Sequence, residues 1–247
     1  MRVRRFLTWV LLAAAIPAFG MADVKVVEKQ HVDAFSVMGR TMPARDATIT
    51  SWIGKDRMRV EQGRNVIIIR LDRKKMYVVE PGGATYSVID LPIDLKKLLP
   101  PGIGDQMLQM MKMNVTATKT GETKKVGRWK AVRWNIDLSS PMAKVHQVWW
   151  VTKDVKVDLS SFARMAETML ELQPGMAQAA KTLSRIDGFP VAKDTVTQMG
   201  MGGGAKMTSH EEVVAITEGT PPAGAYEPPA NAKAKPFNMM EMMKKGR

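Results

Sequence analysis

Residues 47–69 read ATITSWIGKDRMRVEQGRNVIII, and this stretch decides the fold class. Ala47, Ile49, Ser51 and Ile53 fall on one side and Thr48, Thr50 and Trp52 on the other, the period of two that a strand imposes. Gly54-Lys55-Asp56 is a turn signal, and the return segment Arg57 to Gln62 sets Met58 and Val60 against Arg57, Arg59 and Glu61. Gln62-Gly63-Arg64-Asn65 turns again. Val66 to Ile69 is then a continuous β-branched run, expected to be central or buried on both faces.

The same pattern continues in both directions. Upstream, Val24 to Met38 is rich in strand formers. Downstream, a turn at Leu71 to Lys74 leads to Met76–Glu80, and Pro81-Gly82-Gly83 leads to Thr85–Ile89. Strands are also expected at Asn114–Thr120, Trp129–Leu138, Met142–Thr152, Val191–Met199 and Lys206–Ile216, with turns at Gly121-Glu122 and Gly127-Arg128. Short strands at regular spacing, with turn residues between them, predict an antiparallel meander rather than βαβ units. Trp149 and Trp150 are consecutive on a strand, so they point to opposite faces.

Two segments carry the helical period instead. Asp105 to Met113 is a short helix with Ile103, Met107, Met110 and Met111 on one broad face. Asp158 to Asp187 places Phe162, Met165, Met169, Leu172, Met176, Ala179, Leu183 and Ile186 in one apolar stripe. Ser160 or Ser161 can cap its start, Pro174 predicts a kink or two abutting helices, and Gly188 ends it.

The ends of the chain read differently. Arg2, Arg4 and Arg5 precede an apolar run from Phe6 to Ile16, then Pro17 and the small residues Ala18, Gly20 and Ala22. Charge, a short apolar core and a small-residue site form a secretory signal peptide, expected over residues 1–22 with cleavage after Ala22, or after Gly20 as second choice. The run is shorter than the roughly 20 residues a spanning helix needs. Residues 23–218 are expected to form a single β domain. Residues 219–247, rich in Pro, Ala and Lys and ending in Met239-Met240-Glu241-Met242-Met243, are expected to be an extended or disordered tail.

Composition removes several function classes. The 247-residue chain has no Cys and 3 His, so it has no thiolate nucleophile, no disulfide and no Cys-ligated zinc. Export without Cys suits the bacterial periplasm or exterior. The net charge of +13 comes from scattered Lys and Arg, which fits a solvated face or contact with an anionic membrane surface better than nucleic acid. No Gly-x-Ser-x-Gly, His-Glu-x-x-His or Gly-rich phosphate loop is present, so no catalytic residue and no cofactor is assigned and a non-enzyme is expected. His210 with Glu211 and Glu212 is too sparse for a metal site, and no metal ligand is assigned.

Several phrases resemble the family called domain of unknown function 4412. They are Asp56 to Glu61, Ile69-Arg70-Leu71-Asp72 with Lys75-Met76-Tyr77, Thr85-Tyr86, Thr120 to Gly127, Val148 to Thr152, Gly188-Phe189-Pro190-Val191 and Met199-Gly200-Met201. The resemblance spans roughly residues 24 to 230. Ala131 stands where members often carry a cysteine. The strand pattern also looks like the LolA/LolB-like lipoprotein-carrier fold. That likeness implies a mainly β (α+β) protein: a curved antiparallel sheet, or incomplete β-barrel, with helices packed in its concave face.

The implied ligand is a lipid, an acyl chain or another apolar envelope molecule. Met is unbranched and polarizable, so it adapts to chains of variable shape. The residues expected to line the groove are Met107, Met110, Met111, Trp149, Trp150, Phe162, Met165, Met169, Leu172 and Met176. Two alternatives stand beside this: an envelope scaffold, and a copper protein using the thioethers of Met107–Met113 or Met239–Met243.

Overall fold

The computed structural model describes residues 22–37, 39–94, 105, 109–110, 112–172, 176–200 and 204–237. The expected signal peptide up to residue 21, Met107, Met111, Pro174 and the Met239–Met243 cluster lie outside them. The strands are β1 (Asp23–Val32), β2 (Phe35–Val37), β3 (Arg40–Met42), β4 (Arg45–Ile53), β5 (Arg57–Gln62), β6 (Asn65–Arg70) and β7 (Lys75–Val79). They continue as β8 (Thr85–Asp90), β9 (Asn114–Val126), β10 (Trp129–Ser139), β11 (Ala143–Thr152), β12 (Phe189–Met199), β13 (Lys206–Gly219) and β14 (Lys233–Pro236). The helical region is α1 (Ser160–Glu171) and α2 (Ala177–Leu183), two helices as the embedded proline predicts.

Twelve strands form one sheet in the order β14-β8-β7-β6-β5-β4-β1-β13-β12-β11-β10-β9, and β2 pairs with β3 beside it. Every pairing is antiparallel except β14 with β8. The sheet is therefore two meanders, β4 to β8 and β9 to β13, joined by β1. The first strand of the chain pairs with β4 on one side and β13 on the other, which makes it central. The edges β14 and β9 do not meet among the described residues, so the sheet is open rather than a closed barrel.

Local chemistry explains where the strands begin and turn. Gly54 donates to the Arg57 carbonyl at 2.9 Å and closes the β4–β5 turn. The Leu71–Arg73 turn ends at Lys74 in the left-handed conformation, φ 51°. Gly121 departs from the expectation of a turn. β9 runs through it with φ +82°, and the register against β10 shifts between Val132 and Trp134. That is a bulge, and a left-handed glycine accommodates one without steric cost. Thr120 Oγ1 donates to the Arg133 carbonyl at 3.3 Å and accepts from the Glu122 N–H at 3.2 Å, which satisfies the displaced backbone. The residue before α1 is Leu159 and neither serine caps the helix by its side chain; the Asp158 carboxylate instead accepts from the Ser160 N–H at 2.8 Å. That bond draws the Asp158 pKa below its ordinary value.

Val24, Ile53, Met58, Ile69, Met76 and Ile89 are successive cross-strand partners and share one face. Trp52, Arg59, Ile68 and Tyr77 are the corresponding row on the other. α1 covers the first row through Met165, Met169 and Leu172. Ala225 and Tyr226 cover the second by packing with Ile68, Val79, Trp52 and Tyr77. This explains the β-branched run of β6: Ile69 is buried under the helix and Ile68, at 0 % exposure, under the C-terminal segment.

That segment was expected as an extended or disordered tail. Over residues 219–237 it is extended but packed. Arg59 donates to the Ala225 carbonyl at 3.0 Å, and Arg70 binds the Tyr226 carbonyl at 3.3 Å and the Glu227 carboxylate. β14 then adds to the edge of β8, with Lys235 and Glu80 paired at 2.9 Å. The aromatic and arginine anchors outweigh the local Pro/Gly composition that suggested disorder.

Candidate functional site: a methionine seam and a polar row on one sheet face

β5 alternates strictly, so Met58, Val60 and Gln62 project from the same face. At the Met58 end lies an apolar seam. Ile69, Leu91 and Met165 form its buried centre, with Met58, Leu71, Met76, Ile93, Met169 and Leu172 packed around them. Met58 and Met76 come from the sheet and Met165 and Met169 from the helix, so thioethers meet from both walls. Met165 is 1 % exposed. A polar tie between the seam's margins is the Ile93 N–H to Leu172 carbonyl bond at 3.3 Å, which joins the loop after β8 to the end of α1.

At the Gln62 end the same face is polar. Gln62 Nε2 donates to Gln30 Oε1 at 2.7 Å, and Gln30 Nε2 donates to Glu211 Oε1 at 2.7 Å. Lys193 Nζ donates to Glu211 Oε2 at 3.2 Å. The row therefore crosses from β5 to β12, passing over the small Ala47 that sits opposite Gln30 on β4. Glu28 lies one side-chain repeat along β1 from Gln30. Burial raises its pKa above the ordinary carboxylate value, while Lys193 pulls it down and Glu211 pushes it up. Trp149 is the cross-strand neighbour of Lys193, half-buried, with its indole N–H given to Gln147 Oε1 at 3.0 Å. The face thus joins an apolar surface to a patch of amides, carboxylates, an ammonium and an indole, a set that can hydrogen-bond a polar head group.

The residues predicted from sequence divide between these places. Met165, Met169 and Leu172 meet in the seam. Phe162 turns to the neighbouring core, edge-on to Phe189 at 4.8 Å between ring centroids. Trp149 belongs to the polar end, and Trp150 to the opposite face, as consecutive strand residues must. Trp150 is 5 % exposed in the core cluster that Phe162 also packs against, with the Lys124 ammonium 4.1 Å over its ring. Its indole N–H is buried without a partner. Met176 is the residue before α2, and its backbone carbonyl accepts from the Ala180 N–H at 2.9 Å. Met110 is half-buried at a helical position, and Met107 and Met111 lie outside the described residues.

Sequence reading missed Met58, Met76 and the whole polar row. Alternation places Met58 and Gln62 on one face and was a usable signal. The contacts of Gln30 with Glu211 and Gln62 join residues remote in sequence and carry no local signal.

Fold and site together define an open, antiparallel-dominated β-sheet protein with a helix covering a methionine seam. The chain belongs to the family described as a domain of unknown function, DUF4412, which it matches over residues 36–232. No curated protein matches it. Among solved structures it is similar to PNGF-II in a C2 crystal form, with a TM-score of 0.40 and 10% identity, over 90% of this chain and 32% of that chain. The chain thus spans about a third of that protein's length.

Proposed function

We propose that this is an exported, non-catalytic protein that binds or carries a lipid or another apolar envelope molecule. In this reading the sheet curves around α1 as an incomplete barrel of the LolA/LolB-like kind, with the helix in its concave face. The acyl part lies along the methionine seam and the polar part at Gln30, Gln62, Lys193 and Glu211. The supporting observation is the single face of β5. Met58 and Gln62 are four residues apart on it, about 13 Å at strand rise, so one amphipathic molecule spans both ends.

Entry requires α1 to lift, because the seam is filled by the helix's own side chains. The Ile93–Leu172 bond is a weak tie at 3.3 Å, and side-chain packing supplies the rest. Ten methylenes replacing those contacts would contribute about 8 kcal/mol of transfer free energy, enough to offset much of the displaced packing. The basic surface favours delivery at an anionic membrane.

Native mass spectrometry of the protein purified from its own envelope, with solvent extraction and parallel metal analysis, tests the reading. A stoichiometric mass that extracts as lipid supports it. An apo mass that also fails to take up an added fatty acid or phospholipid overturns it in favour of an envelope scaffold. Copper in the extract would move attention to the methionine clusters.

A further inference from the structure

Every histidine in the chain faces an aspartate directly across a strand pair. His31 Nδ1 lies 2.7 Å from Asp46 Oδ1, His210 Nδ1 2.6 Å from Asp194 Oδ1, and His146 Nδ1 2.7 Å from Asp137 Oδ1. Two of these couples are also neighbours. His31 on β1 and His210 on β13 are cross-strand partners, so Asp46, His31, His210 and Asp194 form one continuous row over four adjacent strands. His146 has no such neighbour, since its partner on β12 is Val196. The row lies on the sheet face opposite Gln30, away from the seam.

The ring chemistry then has a direction. Each Nδ1 is paired with an aspartate on the outer strand, which fixes the ring and leaves Nε2 as the nitrogen not engaged across that strand pair. On each ring Nε2 is the second nitrogen, on the side away from that aspartate. A second carboxylate stands near each: Asp33 Oδ1 at 3.3 Å from His31 Nε2, and Glu212 Oε2 at 3.7 Å from His210 Nε2. Both imidazoles are 45% exposed and line a cleft of about 650 Å³ with Lys29, Thr48 and Val214. In a chain of net charge +13, four carboxylates gather here around two imidazoles.

We infer that His31 and His210 form a two-imidazole clamp for a divalent transition-metal ion of the Cu(II), Ni(II) or Zn(II) class. An imidazole whose far nitrogen is fixed by a carboxylate is the usual arrangement of a metal-bound histidine, because the carboxylate sets the tautomer and raises ligand basicity. Asp46 and Asp194 supply that here. Asp33 and Glu212 supply negative charge and further oxygen donors. Among the described residues no three such side chains stand around one point closely enough to hold an ion as placed. The clamp therefore binds through the two Nε2 atoms, with water or the rotated carboxylates of Asp33 and Glu212 completing the sphere.

The test uses the tag-free full chain. Cu(II) is followed by electron paramagnetic resonance, and Ni(II) and Zn(II) by calorimetry. One equivalent is expected, with nitrogen couplings in the Cu(II) spectrum and a metal-dependent rise in thermal midpoint. His31→Ala and His210→Ala should each weaken binding by at least about tenfold, and His146→Ala should leave it unchanged. His210→Gln, which keeps a polar group facing Asp194, guards against a folding defect and should also lose the ion. No uptake by the wild-type chain at micromolar metal, equal loss in His146→Ala, or retention in the His31→Ala/His210→Ala double variant would each overturn the inference.

Discussion

The Tyr226 hydroxyl donates to the buried Asp23 carboxyl at 2.7 Å, so the C-terminal segment is bonded to the first residue of β1. The Arg57 guanidinium completes the cluster, 4.6 Å from the Tyr226 ring and 3.4 Å from Asp23 Oδ2. Removing the phenol leaves a buried carboxyl one partner short. Tyr226→Phe should therefore cost about 1–3 kcal/mol in urea unfolding. Burial, and then Asp23, raise the Tyr226 pKa. The neutral phenol is thus the folded form. Its contribution is present below the unfolded tyrosine value of about pH 10 and is lost as pH rises beyond it. An ultraviolet titration should show Tyr226 ionising only as the protein unfolds, and Tyr226→Phe should lack that component.

Met165 is the centre of the seam. Met165→Ala should destabilise by about 2–5 kcal/mol, since the cavity is lined by both the sheet and the helix and cannot collapse freely. Met169→Glu should impair folding or lipid uptake by setting a charge against Met58 and Met76. Chemical denaturation of both variants, beside fatty-acid binding, separates the two effects. Unchanged stability in both would remove these residues from the core.

Truncation after Ala230 removes β14, which covers the outer edge of β8 and carries Lys235 opposite Glu80. An unpacked tail would leave the thermal midpoint unchanged. The parallel pairing predicts instead a drop of a few degrees, about 2–4 °C for each kcal/mol lost, and faster aggregation through the bared β8 edge. Truncation after Gly219 also removes Tyr226 and should be far more damaging. Differential scanning calorimetry and light scattering distinguish the full chain from the two truncated forms.

Gly188 has φ +133°, and a Cβ there would stand 2.6 Å from the Thr152 carbonyl oxygen and 2.8 Å from Val151 Cγ1. The first of these is backbone and cannot swing aside. Gly188→Ala should cost roughly 1–3 kcal/mol or more, whereas Gly63→Ala, with open space around its Cβ, should cost only its φ strain. Equal losses at both positions would show that the close approach to β11 is not limiting.

Much of the fold was legible because strands declare themselves locally. Residues 57–62 and the turns around Gly54 and Gly63 fall where alternation and turn chemistry put them. The helical stripe was legible as a period, but only part of it is the seam: Met165, Met169 and Leu172 line it, while Phe162 meets Phe189. Period says that a face is apolar, not what covers it. Gly121 was misread because a left-handed glycine serves a turn and a bulge equally well.

The sequence by itself determined most of the strands, though not β14 or the β2–β3 pair, the paired helices and the alternation that puts Met58 and Gln62 on one side of β5. Only the tertiary structure decided that β1 joins the two meanders. That placement sets His31 opposite His210, Gln30 against Glu211, and Asp23 under Tyr226. Local propensities act over a few residues. Pairing between strands remote in sequence depends on loop closure and on the burial of both sheet faces at once, and no local pattern encodes that sum.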